Sequence, residues 1–313
     1  MIMRKPSFWD YKKPNILSYF LLIFTLPIII NNYLIKKRRN HNQNKIGNVK
    51  TICVGNIYVG GTAKTPISIK IWEILNNLNF KSATIKKSYI DQIDEQKILK
   101  EKTKLYCFKT RQKAINEAIK DSIDIVIFDD GLQDKSINYD FKFVCFNSVT
   151  WIGNGFLMPA GPLREKISSI SKYDAVFLNG NGEDNNSLQL EIKKHNPNIK
   201  IFETCYNPTN LDEFDKNENY VIFSGIGNPE SFEKTLIKNK FNIIKEFKFP
   251  DHYDYTFADI NEIKSCAKSL NAKILTTEKD YMKLHNDIDI KFLKIDIAIR
   301  QEDELINLLK SII

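Results

Sequence analysis

No Cys-x-x-Cys pair occurs in this chain, and its five cysteines (Cys53, Cys107, Cys145, Cys205, Cys266) are odd in number and widely scattered. That pattern excludes a disulfide framework and offers no zinc site, so the thiols read as core residues in a reducing compartment. Internal repeats and long low-complexity tracts are also missing. Acidic residues are scarce in the first fifty positions, where ten Lys or Arg face the single acid Asp10. The rest of the chain holds 36 basic and 37 acidic side chains, so the net charge of +8 belongs to the N-terminus. The body therefore lacks the basic excess of a nucleic-acid-binding protein, and no nucleic-acid partner is expected.

A long apolar run is lacking as well. Residues 16–30 are mostly apolar but include Pro27, and a spanning helix needs roughly 20 apolar residues. Lys12 and Lys13 precede the run, Lys36-Lys37-Arg38-Arg39 follow it, and Asn31-Asn32-Tyr33-Leu34 offers no small-residue cleavage site. The segment is expected to be a retained, membrane-associated helix that either spans or lies in the interface, and not a signal peptide.

What the chain does have is a glycine-rich loop in a telling place, Gly55-Asn56-Ile57-Tyr58-Val59-Gly60-Gly61-Thr62-Ala63-Lys64-Thr65-Pro66. Before it, residues 49–54 form a short β-branched run suited to a buried parallel strand. After it, Ile67, Ile71, Ile74, Leu75 and Leu78 fall at helical spacing, with Pro66 in the first turn. A strand feeding straight into a helix N-terminus through such a loop is a phosphate cradle, and it points to a nucleoside triphosphate. Gly60, Gly61, Thr62, Ala63, Lys64 and Thr65 are the candidate nucleotide-binding residues. Lys64 would reach the β- and γ-phosphates, and the Thr65 hydroxyl stands where Mg²⁺ is normally held. The pattern G-x-x-x-x-G-K-[ST] is broken twice, by Tyr58 at its first glycine and by Ala63 before the lysine.

A second apolar run, residues 123–128, ends in Asp129-Asp130-Gly131-Leu132-Gln133. Two carboxylates thus stand at the carboxyl end of a strand, where open α/β sheets place ligands. Successive strand residues point to opposite faces, so one of Asp129 and Asp130 is expected to face the metal while the other orients water or a loop. A surface Asp-Gly turn is the plain alternative. Further strand-like runs at 141–146, 175–178, 199–205, 220–224, 274–277 and 292–295 alternate with helix-like or polar stretches, which predicts parallel α/β architecture. A polar, acidic connection between Pro208 and Asn219 divides the chain. The expected division is 1–40 as the membrane-associated helix, 41–212 as a nucleotide domain and 213–313 as a smaller α/β domain.

Taken in order, these motifs resemble one family, the tetraacyldisaccharide 4'-kinases of lipid A synthesis. The series runs from the basic, apolar N-terminus through Gly55–Pro66, Asp94-Glu95, Asp129–Gln133, Asn154-Gly155 and Pro159-Ala160-Gly161-Pro162-Leu163-Arg164-Glu165. It continues with Gly225-Ile226-Gly227-Asn228-Pro229, Phe249-Pro250-Asp251-His252-Tyr253 and Thr277-Glu278-Lys279-Asp280. The resemblance implies a P-loop-type, mostly parallel sheet flanked by helices, with a smaller α/β domain. It implies a kinase that uses ATP and Mg²⁺ on the 4'-hydroxyl of an acylated glucosamine disaccharide 1-phosphate, giving lipid IVA, at the cytoplasmic face of the inner membrane.

Residue by residue, Lys64 and Thr65 match the ATP and Mg²⁺ positions, and Asp129 and Asp130 the second acidic motif. Asp94 matches the aspartate taken to deprotonate the acceptor hydroxyl, with His252 as its tuning partner. Lys87, Tyr89, Arg111, Gln133, Arg164 and Glu165 match positions suited to the glycolipid. Because Asp94 and His252 fall in different expected domains, they would meet only on domain closure. Four departures accompany the match: Ala63 for a glycine, Gln96 for a proline, Asp134 for a histidine, and a shortened segment between Tyr89 and Asp94. With that altered loop, the alternative is a membrane-bound nucleotide switch or degenerate kinase homologue.

Overall fold

The computed structural model describes residues 5–27, 49–89, 92–134, 136–180, 185–284 and 287–313. Along the chain the elements are α1 (Ile16–Leu21), β1 (Lys50–Gly55), α2 (Lys64–Asn77), β2 (Ser82–Lys87), α3 (Ile93–Lys102), β3 (Leu105–Phe108), α4 (Arg111–Lys120), β4 (Ile125–Asp129), β5 (Phe141–Asn147), β6 (Ala175–Gly180), α5 (Asn186–His195) and β7 (Lys200–Pro208). There follow β8 (Asn219–Ser224), α6 (Pro229–Lys238), β9 (Asn242–Lys248), α7 (Phe257–Ser269), β10 (Lys273–Thr277), α8 (Glu278–Tyr281), β11 (Ile290–Leu293), β12 (Ile295–Ile299) and α9 (Glu302–Ile312).

Two sheets result, one of eight strands in the order β12-β7-β6-β5-β1-β4-β2-β3 and one of four in the order β11-β10-β8-β9. The pairings of β1 with β4 and β5, of β2 with β3 and β4, and of β6 with β5 and β7 are all parallel. The α/β class and mostly parallel sheet expected from alternation are what the chain forms. The runs at 123–128, 141–146 and 175–178 lie within or beside β4, β5 and β6. β2 and β9 escaped the apolar-run reading because Ser82-Ala83-Thr84-Ile85-Lys86-Lys87 and Asn242-Ile243-Ile244-Lys245-Glu246-Phe247-Lys248 carry too many polar residues.

The chain forms two compact units, and their boundary differs from the contiguous division expected. One unit joins Ser88–Lys102 to Tyr206–Ala298; the other takes Lys5–Lys87, Thr103–Cys205 and Ile299–Ile313. In the larger unit β1 and β4 lie side by side at the middle of the sheet, with Val54 opposite Asp129. Their carboxyl ends therefore bring the glycine-rich loop and the Asp-Asp pair together. Core side chains line the sheet: Cys53, Ile85, Val126 and Phe128 pack with Ala114, Ile115 and Ala118 of α4, while Val144, Phe146, Val176 and Leu178 pack with Ile192 of α5. In the smaller unit the period of two is visible directly. Tyr220 and Ile222 pack with Phe232 and Leu236 of α6, and Val221 and Phe223 with Ile263 and Ala267 of α7.

The N-terminal segment departs from a continuous helix. Ile16–Leu21 is α-helical, Leu22–Thr25 forms a 3₁₀ turn and Leu26 and Pro27 are again α-helical, and among the described residues no helix is long and apolar enough to cross a membrane. The part of the expected membrane helix beyond Pro27 lies outside the described residues.

Candidate active site

The loop after β1 is held by the chain that carries Arg164. Val59 N–H donates to Pro162 O at 2.9 Å and Arg164 N–H to Ile57 O at 2.7 Å. Within the loop the Asn56 amide donates to the Thr62 hydroxyl at 3.0 Å. Gly60 has φ +140°, a backbone geometry that only glycine adopts without strain. Ala63, the residue before Lys64, takes φ 62° and ψ 22° at the N-terminus of α2. A left-handed conformation at an alanine costs about 1–2 kcal/mol, so the departure from glycine is a local strain. Ala63→Gly would relieve it but add chain entropy worth about 0.5–1 kcal/mol to the unfolded state. We expect a small net gain in urea unfolding stability, below about 1 kcal/mol. A clear loss would show that the buried methyl group contributes more through packing than the strain costs.

Lys64 and Thr65 open α2. The Thr65 hydroxyl donates to Asp129 Oδ2 at 3.0 Å, and Ser68 Oγ donates to Asp129 Oδ1 at 3.3 Å. Asp129 is fully buried, and Lys86 Nζ, itself buried, donates to its Oδ2 at 2.6 Å. Lys86 was not singled out from sequence. Its signal was a lysine inside a small-residue strand, which is buried only if a neighbouring strand supplies a carboxylate; β4 supplies it. Asp130 diverges from its neighbour. It sits at φ +57° and its carboxylate accepts from Arg164 Nη1 at 3.2 and 3.4 Å, with Lys64 Nζ 4.0 Å away.

Gln133 donates to Asn56 O at 2.8 Å and to Glu165 Oε1 at 3.4 Å, and accepts from Arg164 at 3.1 Å. Gln133, Arg164 and Glu165 thus form one polar cluster beside the loop. Arg111, at the first turn of α4, is buried and donates to Asp134 Oδ2 at 2.9 Å and to Asp130 O at 2.6 Å. Asp134, which departs from the family's histidine, is therefore the carboxylate that receives this arginine. Burial disfavours the Asp134 anion, but bonds from Ser136 and Arg111 outweigh it and hold the carboxyl below its ordinary range. Lys87 closes β2 in the larger unit, whereas Tyr89 lies in the segment of the smaller unit, its carbonyl accepting from the Gln96 amide at 2.6 Å.

Within the smaller unit the structure brings together two residues 158 positions apart. His252 Nδ1 lies 3.2 and 3.1 Å from the two Asp94 carboxylate oxygens. Both residues belong to this one unit, so no closure of separate domains is needed to unite them, contrary to the expectation from a boundary at 213. Asp94 is buried at the start of α3, and its Oδ1 accepts from Glu95 N–H at 2.9 Å. Burial works against its charge, but the His252 bond and the Lys279 and Lys283 ammonium groups, 3.7 and 3.6 Å away, hold the carboxyl below its usual range. His252 has φ +58° and its N–H donates to Gly225 O at 3.1 Å. Lys279 belongs to the quoted Thr277-Glu278-Lys279-Asp280 run, which carried no assigned role; its place beside Asp94 comes from α8 packing against α3, which sequence spacing does not display.

The LpxK family profile, described as Tetraacyldisaccharide-1-P 4'-kinase, matches residues 15–313. A tetraacyldisaccharide 4'-kinase of Pelagibacter ubique is 48% identical over 309 residues, covering 98% of this chain and 97% of that protein. One from Rickettsia canadensis is 35% identical over 312 residues, covering 94% and 92%. Among solved structures, the "apo" form of LpxK from Aquifex aeolicus in complex with ATP superposes with a TM-score of 0.71 at 22% identity, covering 95% of this chain and 99% of that one. That likeness shows a shared fold.

Proposed function

Because the chain belongs to the tetraacyldisaccharide-1-P 4'-kinase family, we propose that this kinase moves the γ-phosphoryl group of ATP to the 4'-hydroxyl of a tetraacyl glucosamine disaccharide 1-phosphate, giving lipid IVA. The observation that carries the reading is the meeting of Lys64 and Thr65, at the helix N-terminus after β1, with Asp129 at the end of β4, where Thr65 and Asp129 are 3.0 Å apart. A helix N-terminus and a lysine beside a glycine-rich loop suit a polyphosphate. The Thr65 hydroxyl and the Asp129 and Asp130 carboxylates are hard oxygen donors of the kind Mg²⁺ takes together with substrate phosphates, and they would hold it. When bound, that ion would shield charge on the transferring group. Lys64 would sit against the β- and γ-phosphates, and Arg164 would grip a phosphate with its guanidinium fork.

Asp94 would accept the proton of the attacking hydroxyl, oriented by His252. Its lowered pKa keeps it in the receptive, anionic form at neutral pH. A weak base suffices, because phosphoryl transfer has a loose transition state in which the hydroxyl proton leaves late. Incubating the purified protein with labelled ATP, Mg²⁺ and the tetraacyl disaccharide monophosphate in detergent tests the whole reading. A labelled bisphosphate is expected, and ATP binding without that product would favour the nucleotide switch.

Membrane docking at the cytoplasmic face of the inner membrane is part of this proposal. Around buried Ser18 and Thr25, the N-terminal segment exposes Ile16, Tyr19, Phe20, Ile23, Phe24 and Leu26, with Ile16 90% and Ile23 66% accessible. The segment is fastened to the chain that carries Arg164: Trp9 Nε1 donates to Pro159 O at 3.0 Å and Asn154 N–H to Trp9 O at 2.9 Å. Gly153 permits this approach, since a Cβ there would stand 2.1 Å from Trp9 O. An interfacial segment so placed holds the phosphate-gripping loop near the headgroup plane where an acylated substrate presents its sugar. Replacing Phe20 and Ile23 together with glutamate should weaken partitioning into anionic vesicles by at least about 100-fold, since each large apolar side chain contributes about 1.5–3 kcal/mol when fully buried. ATP affinity should be unchanged. Parent-like flotation with vesicles would assign the docking surface elsewhere.

A further inference from the structure

His252 is bracketed by groups of opposite sign. On one side Nδ1 faces the Asp94 carboxylate at 3.1 and 3.2 Å. On the other, Lys279 Nζ lies 3.3 Å from Nε2, with Asp251 Oδ1 3.0 Å from the same ammonium. The remaining charged groups facing this cluster are Glu95, whose Oε1 is 3.7 Å from both Nε2 and the Lys279 ammonium, Lys283 beside Asp94, and Asp280 beside Lys283. Three carboxylates around Lys279 outweigh its burial and keep it protonated. An ammonium group has three donors and no acceptor, whereas a carboxylate only accepts. The nitrogen facing Lys279 must therefore be bare, and the nitrogen facing Asp94 must carry the ring proton.

We propose that Lys279 is a positioning residue that fixes His252 in its Nδ1–H tautomer, so that the ring donates to Asp94 and leaves the carboxylate as the acceptor of the substrate proton. This rests on the reading of Asp94 given above. In the step it serves, the hydroxyl O–H bond breaks toward Asp94 as oxygen bonds to the γ-phosphorus and the bond to the departing ADP breaks. The imidazole neither gains nor loses a proton: Nδ1 already holds one, and Nε2 is capped by a cation. A wrong tautomer would turn a lone pair toward the carboxylate and repel it.

The deciding measurement is a long-range ¹H–¹⁵N correlation on histidine-labelled protein, with the His252 signal identified by its loss in His252→Gln. The wild-type ring should show a protonated Nδ1 and a bare Nε2 near neutral pH. In Lys279→Met the Nε2–H form should appear, and kcat should fall about 10- to 100-fold, as for other residues that orient a functional group through hydrogen bonds. KM for ATP should hardly move, and Lys279→Arg should recover much of the rate. A wild-type ring carrying its proton on Nε2 overturns the proposal, as does a Lys279→Met protein with parental tautomer and rate; should that variant not fold, the wild-type spectrum decides alone. Parental turnover in Asp94→Asn would instead sink the reading of Asp94, leaving the tautomer assignment standing.

Discussion

Lys64→Ala is expected to lower kcat for phosphoryl transfer by about 10²- to 10³-fold, the usual loss when one preorganised charge-stabilising donor is removed from a reacting centre. The unfolding midpoint should stay within experimental scatter of the parent. Lys64 is suited to such a clean test because its ammonium makes only a marginal ion pair, 4.0 Å from Asp130 Oδ1. Pairs of that kind contribute about 0–1 kcal/mol. The other lysine near the Asp-Asp pair behaves differently. Lys86 is buried 2.6 Å from Asp129, and its loss would strand a buried carboxylate at a cost of about 3–5 kcal/mol. A rate lost in a Lys86 variant would therefore say little about chemistry. Near-parental turnover in folded Lys64→Ala protein would remove the nucleotide assignment, since Lys64 is the cation that opens α2 directly after the glycine-rich loop.

The contrast between these two lysines shows which parts of the site can be read from sequence. Lys64, Thr65, Asp129 and Asp130 were legible because each lies in a local pattern, a loop entering an apolar helical stripe or an acidic pair closing an apolar run. Lys86 is one half of a Lys-Lys pair that lies in no such pattern. Its burial is a consequence of β2 pairing with β4, where Ile85 stands opposite Phe128, and strand order is a tertiary fact. Arg111 is similar. Matched by resemblance to a position suited to the glycolipid, it also donates to Asp134, 23 residues away, and to the Asp130 carbonyl, partners that the sequence does not display.

The unit boundary was hidden for a related reason. Residues 88–102 lie between two strands of the larger sheet in sequence, and composition does not mark them as foreign. They join the smaller unit through pairings across about 180 positions: Lys97 Nζ donates to Met282 O, and Lys102 pairs with Glu278, each at 2.7 Å. A division placed at a polar linker could not find this, because the segment that moves is neither polar throughout nor flanked by a break.

That reassignment sharpens the test of Asp94 and His252. Asp94→Ala and His252→Ala are each expected to lower kcat by about 10²- to 10⁴-fold, the range for a positioned general base, with little change in KM for ATP. The two groups share one hydrogen bond inside one unit. Removing His252 therefore leaves Asp94 unoriented, and removing Asp94 leaves the ring with nothing to orient. The double variant should lose far less than the product of the single losses, as for residues that act as one device. The pH profile has a defined sign. Asp94 must be ionised to accept the proton, and the His252 bond with the Lys279 and Lys283 charges lowers its pKa against the effect of burial. The acid limb of kcat should then lie below the ordinary carboxylate range, and His252→Ala should move that limb upward by weakening the hold on the anion. The same depression stabilises the fold above the unfolded pKa and is lost as pH falls through the folded one, so unfolding must be followed in parallel to separate lost protein from lost proton transfer. Multiplicative losses with an unmoved acid limb would show two independent contributions, and the proton acceptor would then have to be sought outside this pair.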